Sequence, residues 1–269
     1  MIVALHLAPA SSNEELIASV RRAASLGFRA VQIGPLKNFG SIERESVRGL
    51  LDSLKLGRSV HVGGIYDAKK FALTEEECNK AQEQIRYGIK LCKDISSRLV
   101  SIHPPFFSLN ETKNEDLLSS ARTRFLRLLK GEANFADRKH IRVALESFCY
   151  YPFIFEGLHD FGRLVSDFPP EKLGALLDVG HVYQMGINLY EAIRIFENRL
   201  LDIHVHDATL EKDYQKATHL PIGKGTIDFR HLINALREIG YEGWLTLEIK
   251  GGEREVVESK EYLESLLGE

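Results

Sequence analysis

The sequence of 269 residues has few of the features that mark secreted, membrane-spanning or metal-knuckle proteins. Its three cysteines, Cys78, Cys92 and Cys149, are an odd number and lack the close pairs of a zinc-binding motif. We therefore expect reduced thiols and a cytoplasmic protein. No apolar stretch has the length of a membrane span. The apolar start MIVALHLAPA lacks the basic leader of a signal peptide and predicts a first strand.

Charge and composition exclude some classes of partner. The net charge is -3 at pH 7, so no overall positive field attracts nucleic acid or an acidic membrane. Hydrophobic residues make up 44% of the chain, and no linker rich in Pro, Gly or Ser interrupts it. The sequence therefore predicts one globular domain over residues 1–269.

Short β-branched segments alternate with longer amphipathic segments along the whole chain. The strand candidates are IVALH, RAVQI, RSVHV, LVSIH, RVALE, GALLD, LDIHV and WLTLE. The helix candidates are NEELIASVRRAASLG, IERESVRGLLDSLKL, TEEECNKAQEQIRYGIKLCKD, EDLLSSARTRFLRLLKGEANFADR, FEGLHDFGRLVSDF, NLYEAIRIFEN, DFRHLINALREIG and EVVESKEYLESLL. Eight such units predict an α/β protein folded as a single (β/α)8 TIM barrel. The alternative, a doubly wound open sheet, lacks its usual G-x-G-x-x-G after the first strand.

A polar side chain is the last or second-to-last residue of each predicted strand. These residues are His6, Gln32, His61, His103, Glu146, Asp178, His204 and Glu248. The carboxyl ends of barrel strands converge on one mouth, where active sites are built. Because buried charges are costly unless they are paired or bound to metal, three carboxylates and several imidazoles there predict a divalent cation. Such ligands suit zinc, manganese, iron or cobalt.

Three more histidines, His181, His206 and His219, lie near the predicted mouth. His206 is two residues after His204 in LLDIHVHDATL, so the strand directs both side chains to the same face. We interpret His204 as the better ligand. His206, one step further out, is a substrate contact, an auxiliary ligand or a loop hydrogen-bonder, and Asp207 is expected to orient a neighbouring imidazole. His181 and His219 follow strand ends in DVGH and HLPIGKG.

Seven segments carry a resemblance to a known family. They are VHVGGIY, VSIHPPF, VALES, LLDVGHVYQMG, IHVHDA, HLPIGKGTIDF and YEGWLTLEI, in family order. The sequence resembles the xylose isomerase-like barrel superfamily, which includes endonuclease IV and many sugar isomerases and epimerases. The resemblance implies one metal ion held by Glu146, Asp178, His204 and Glu248.

The resemblance also implies up to three ions per chain. His61 and His103 match histidines that hold a second zinc with the first glutamate in the nuclease. His181 and His219 match two of the three ligands of its third zinc. The missing third partner is an aspartate at the position of Ala217, for which His206 or Asp213 are possible substitutes.

Several positions depart from both branches of the superfamily. The nuclease has DTCH and an asparagine where this chain has DVGH and His206. The ketose 3-epimerases have a sugar-binding glutamate and an arginine where this chain has Pro152 and Leu210. The resemblance therefore assigns no known substrate specificity.

The first hypothesis is a metal-dependent isomerase or epimerase of a sugar, a sugar phosphate or a related hydroxy-carbonyl compound. Glu146 and Glu248 would remove and return a proton beside a carbonyl. The expected substrate contacts are His6, Gln32, His206 and Lys224.

The second hypothesis is a zinc phosphodiesterase acting at abasic sites in DNA, which needs a basic and aromatic rim. The rim candidates are Lys37, Asn38, Phe39, Tyr66, Lys69, Lys70, Phe106 and Phe107, and the loop SFCYYPFIF adds aromatic residues without positive charge. The acidic total and the scarcity of arginine in these loops favour the isomerase. Two weaker hypotheses are a lyase or dehydratase on the same barrel and a non-catalytic binding scaffold.

Overall fold

The computed structural model describes residues 1–34, 37, 40, 42–64, 66–107, 114–147, 154–211 and 214–269. Five residues of the sequence analysis lie outside this range, together with most of the SFCYYPFIF loop: Asn38, Phe39, Cys149, Pro152 and Asp213. Within the described residues, no helix combines the length and the apolar character needed to cross a membrane.

Parallel strands close into a barrel in chain order. The strands are β1 (Ile2–Leu7), β2 (Ala30–Ile33), β3 (Gly57–Val62), β4 (Leu99–Ile102), β5 (Arg142–Glu146), β6 (Leu173–Asp178), β7 (Leu200–Val205) and β8 (Trp244–Leu247). Leu5 pairs with Val31 of β2 and with Leu247 of β8, which closes the circle. The predicted (β/α)8 TIM barrel and all eight predicted strands are confirmed.

Helices follow the strands as the periodicity predicts. The long helices are α1 (Asn13–Ser25), α2 (Arg44–Ser53), α4 (Glu75–Asp94), α5 (Glu115–Asp137), α6 (Leu158–Ser166), α8 (Leu189–Phe196), α10 (Phe229–Glu238) and α11 (Glu253–Gly268). The periodicity does not predict the short helices α3 (Ala68–Leu73), α7 (Val179–Gln184) and α9 (Tyr214–Ala217). These are too short to show a helical period.

The strands alternate between a face packed on the helices and a face inside the barrel. In β7, Ile203 and Val205 are fully buried in the hydrophobic core. Asp202 lies on the opposite face of the strand and contacts the side chains of Gln32 on β2 and Thr246 on β8. Because β2 and β7 are not neighbours in the sheet, the bond between Gln32 and Asp202 crosses the barrel interior. The polar side chains therefore converge inside the barrel near its carboxyl end.

Candidate metal centre

Three carboxylates and one imidazole meet at the carboxyl end of the barrel. Nδ1 of His204 lies 2.8 Å from Oε2 of Glu248, 3.9 Å from Oε1 of Glu146 and 3.9 Å from Oδ2 of Asp178. His204 and Asp178 are fully buried, and Glu146 is 2% exposed. Strands β5, β6 and β7 and the residue after β8 thus bring together the four residues that the resemblance selected.

Gln32 fixes the orientation of His204 from inside the barrel. Its side-chain nitrogen donates to Oδ2 of Asp202 at 2.9 Å. Its oxygen therefore faces Nε2 of His204 and Nδ1 of His6, each at 2.8 Å. Since the amide oxygen only accepts, Nε2 of His204 carries the hydrogen and donates it. Nδ1 is left facing the three carboxylates and has no hydrogen-bond partner of good geometry among the described residues.

The protonation of this centre shows that it needs positive charge. Burial lowers the pKa of His204, but Glu248 and Glu146 outweigh burial and raise it to about 10. Burial likewise opposes ionisation of Glu248, yet His6 and His204 hold its pKa well below the usual range. The lowered pKa of Glu248 keeps its carboxylate anionic, and a proton on His204 supplies positive charge beside it. A donor set of three carboxylates and one imidazole therefore fits a divalent ion.

A second group of candidate ligands is formed by His61 on β3 and His103 just after β4, which both face Glu146. Nε2 of His103 is 3.0 Å and Nε2 of His61 is 3.8 Å from Oε2 of Glu146. Nδ1 of His61 contacts the hydroxyl of Ser101 at 2.8 Å. Burial and the neighbouring His103 hold the pKa of His61 well below its ordinary value, so His61 is neutral at pH 7. His61, Glu146 and His204 present ligand atoms within 4.8 Å of one another.

A third group lies on the other side of Asp178. Asp178, His181, His206 and His219 present ligand atoms that are all within 4.8 Å of one another. Nε2 of His206 is 3.0 Å from Oδ1 of Asp178, and the rings of His206 and His219 stack with centroids 4.2 Å apart. Burial and the neighbouring His206 lower the pKa of His219 to about 3. His206 is fully buried and is one of the four candidate ligands of this group.

Two residues that the sequence pattern did not single out, Asp202 and Ser101, hold polar side chains inside the barrel. Asp202 accepts hydrogen bonds from Gln32 and from Thr246, and burial raises its pKa. Ser101 contacts His61. Strand alternation was the available signal, because Asp202 shares a face with His204 and His206.

The carboxylate of Asp207 has a different role from the one expected. It accepts the backbone N–H groups of Ala208, Gly223 and Ile227 at 2.9, 2.8 and 3.1 Å. It therefore orders the loop after His219 instead of orienting an imidazole.

Only some of the residues expected to form a DNA-binding rim lie at the protein surface. Lys37, Lys69 and Lys70 are exposed, but Tyr66, Phe106 and Phe107 are buried. Lys224 is exposed on the turn after His219. The described loops thus offer positive charge at the surface without the expected aromatic partners.

Curated relatives of the chain differ in their described activities. An uncharacterized protein of Methanocaldococcus jannaschii is 26% identical over 75% of this chain and 67% of its own length. The inosose dehydratase of Lacticaseibacillus casei is 28% identical over 33% of this chain and 34% of its own length. The probable endonuclease 4 of Sulfurihydrogenibium is 26% identical over 65% of each chain. The chain thus spans about a third of the dehydratase and less than two thirds of the endonuclease.

Solved structures with the same fold align along nearly the whole chain. A D-tagatose 3-epimerase-like protein has a TM-score of 0.84 and 24% identity, with 100% of this chain and 97% of that one covered. D-Psicose 3-epimerase from Clostridium cellulolyticum H10, solved with D-tagatose, has a TM-score of 0.80 and 15% identity, with 99% of each chain covered. The family of xylose isomerase-like TIM barrels matches residues 20–266. Together with the closed eight-stranded barrel, this match shows that the chain belongs to the xylose isomerase-like TIM barrel family.

Proposed function

We propose that the protein is a divalent-metal-dependent isomerase or epimerase of a sugar or sugar phosphate. One observation carries the proposal: the buried carboxylates of Asp178 and Glu146 and the partly exposed carboxylate of Glu248 converge on Nδ1 of His204. Structures with the same fold include a D-psicose 3-epimerase solved with D-tagatose, which favours a small sugar as substrate. Glu146, Asp178, His204 and Glu248 would hold the ion.

The chemistry follows from the two glutamates. A bound divalent ion would polarise the substrate carbonyl and acidify the adjacent C–H. Glu146 at the end of β5 and Glu248 just after β8 approach His204 from separate strands. One glutamate would take the proton from the carbon and the other would return a proton to the opposite face. His6, which lies 3.7 Å from Oε1 of Glu248, is placed to contact a substrate hydroxyl beside that glutamate.

The proposal predicts exchange of one carbon-bound hydrogen with solvent. Metal-loaded protein would be incubated in D2O with a panel of ketoses and ketose phosphates. Sugars would be separated by chromatography and analysed by mass spectrometry. We expect a new sugar that carries one deuterium beside its carbonyl. Failure of every ketose in the panel to exchange a hydrogen, with the metal content verified, would refute the proposal.

Matched substitutions test the two proton carriers. Glu146→Gln and Glu248→Gln should each lower kcat about 100-fold or more at saturating metal, since they remove a general acid–base. Glu191→Gln is the control, because Glu191 is exposed on α8 and pairs with His159 away from the barrel mouth. Glu191→Gln should keep the activity of the unsubstituted protein.

A second function, zinc-dependent cleavage at abasic sites in DNA, is favoured by the position of His61 and His103. Both direct Nε2 at the same oxygen of Glu146, which gives the donor set of an additional zinc. The burial of Tyr66, Phe106 and Phe107 and the net charge of -3 weigh against a surface for distorted DNA. These contrary observations make cleavage the weaker function.

One duplex substrate separates the two functions. A synthetic duplex with a single abasic site would be incubated with zinc-loaded protein and with its His103→Gln variant. Cleavage that depends on His103 and weakens with salt, together with absent ketose exchange, would replace the isomerase proposal by the hydrolase. Loss of water from an inosose in the sugar assay would instead indicate a lyase, the reaction named for the Lacticaseibacillus relative.

A further inference from the structure

We propose that this chain holds an additional divalent ion, zinc by its donor set, between Asp178, His181, His206 and His219. This ion is distinct from the one in the proposed function and does not depend on the reaction catalysed. Three imidazoles and one carboxylate are ligands that zinc accepts in tetrahedral sites. His206 would fill the place that Ala217 leaves without a ligand.

The distances within the group suit a small ion. Nε2 of His206 and Nε2 of His181 lie 3.0 and 3.7 Å from the oxygens of Asp178. Ligand atoms of a tetrahedral zinc with bonds of about 2.0–2.1 Å are about 3.4 Å apart. The buried Nδ1 of His219 has no hydrogen-bond partner among the described residues. Only small side-chain shifts therefore separate the group from a ligand set.

His206 has a partner for each of the two tautomers that such a site requires. With hydrogen on Nε2, His206 donates to Asp178, and its Nδ1 accepts the backbone N–H of His219 at 3.0 Å. With hydrogen on Nδ1, it donates to the carbonyl of Asp207 at 3.1 Å, and Nε2 is free to bind metal. A histidine that ligates a metal usually donates its other N–H to such a carbonyl or carboxylate. The metal-binding tautomer thus has its supporting acceptor already in place.

Gly180 provides the space that the ring of His206 occupies. A Cβ built on Gly180 would lie 1.8 Å from Cε1 and 2.3 Å from Nδ1 of His206. Gly180 is in α7, where glycine weakens a helix and has no advantage in itself. We infer that a histidine at position 206 requires a glycine at position 180. The two departures from the nuclease pattern, in DVGH and in IHVHDA, therefore depend on each other.

The ion would serve chiefly to hold the site together. Asp178, His181 and His206 are buried, and four protein ligands complete a tetrahedral zinc without an open position. The N–H of Lys250 donates to the His219 carbonyl at 2.7 Å and holds the backbone of His219 in either tautomer of His206. Zinc would tie α7, the end of β7 and the loop at 219 to Asp178, which also faces His204.

Metal counting on the full chain tests the proposal without an activity assay. Protein and variants would be loaded with zinc, freed of excess zinc by gel filtration and analysed by elemental mass spectrometry. We expect His206→Gln and His219→Gln each to hold one ion fewer per chain than the unsubstituted protein. Gly180→Ala removes no ligand but displaces the His206 ring, so it should lose the same single ion. The control His231→Gln, on α10, should lose none.

The outcomes separate this proposal from the proposed function. Equal counts in the unsubstituted protein and His206→Gln would overturn the additional site. Loss of more than one ion from His206→Gln would also overturn it, because His206 would then support Asp178 in the first site. Visible absorption of cobalt-loaded samples checks that the remaining ligand set is intact. Failure of all ketoses to react would leave these counts unchanged and would refute only the isomerase.

Discussion

The side-chain oxygen of Gln32 lies 2.8 Å from Nε2 of His204, although their strands, β2 and β7, are not neighbours in the barrel. The opposite end of the same amide donates to Asp202. Gln32 thus couples a buried carboxylate to the imidazole at the centre of the three carboxylates. It holds the hydrogen on Nε2 and keeps Nδ1 directed at the three carboxylates.

We expect Gln32→Met to weaken divalent ion binding at the His204 centre by about 10–100-fold, the usual effect of losing a partner that orients a ligand. Methionine has a similar volume, but its thioether sulfur is only a weak acceptor for the imidazole hydrogen. Competition with a coloured chelator measures the affinity. Gln82→Met, a similar change on α4 where Gln82 donates to Glu132, should leave the affinity unchanged. Equal affinities in all three proteins would contradict the orienting role.

Two helical glycines should respond in opposite directions to the same substitution. On α4, a Cβ at Gly88 would lie 2.2 Å from Cγ2 of Val62, so Gly88→Ala forces helix and barrel apart. We expect a loss of about 1–3 kcal/mol in unfolding free energy from this overpacking. At Gly131 on α5 nothing lies within 4 Å of the new Cβ, and Gly131→Ala should gain about 0.5–1 kcal/mol. Urea denaturation of both variants measures the difference, and shifts of the same sign would contradict the packing.

The barrel and the residues at its mouth were predictable because they depend on local order along the chain. Seven of the eight strand candidates, all but GALLD, contain β-branched residues, and alternation determines which side chains face inward. Chain order in a closed barrel then brings Glu146, Asp178 and Glu248 to one end. No contact had to be known in advance for this convergence.

The remaining features depend on distances that a linear pattern does not contain. The fit of His206 against Gly180 requires the close approach of α7 to the end of β7. The three N–H groups that Asp207 accepts come from residues 208, 223 and 227. Tyr66 looked like a surface aromatic beside two lysines, but it is fully buried. These three features result from the way the loops pack against the barrel, which the sequence pattern does not predict.

Asp160 gives the fold a pH dependence away from the metal ligands. Burial alone would raise its pKa, but Arg122, which donates at 2.6 and 2.8 Å, and the N–H of Glu156 lower it. A carboxylate with a lowered pKa stabilises the fold above its unfolded pKa of about 3.9, and the stabilisation is lost as pH falls through the folded pKa. Asp160→Asn should therefore be about 1–2 kcal/mol less stable near pH 7.

The difference between the two proteins should shrink as the pH falls below about 4, because Asp160 of the unfolded chain then takes up a proton, and it should be lost once the pH passes the lowered pKa of the folded state. Urea unfolding of metal-free protein between pH 3 and 7 measures it, and titration of the metal ligands cancels because both proteins share them. Asp167→Asn, at the end of α6, is the control and should follow the unsubstituted protein. A difference that stays constant or grows on acidification would contradict the ion pair.

Asp207 should be the most sensitive residue of the loop that carries His219. Asp207→Ala leaves three backbone N–H groups without this acceptor, and the two on the buried residues Ala208 and Ile227 each cost about 1–3 kcal/mol. We expect a loss of about 3 kcal/mol or more in urea unfolding. Faster hydrogen exchange should appear at the amides of Gly223 and Ile227.

Two further variants separate this effect from the loss of any carboxylate. Asp207→Asn keeps one acceptor oxygen but turns an amide NH2 toward Gly223 N–H, so its loss should be intermediate. Asp228→Ala removes a single N-cap hydrogen bond, to the N–H of His231, and should cost about 1 kcal/mol. If Asp207→Ala were no more destabilising than Asp228→Ala, the three-fold acceptor role would be wrong. The expected order follows from the number of N–H groups that each carboxylate satisfies.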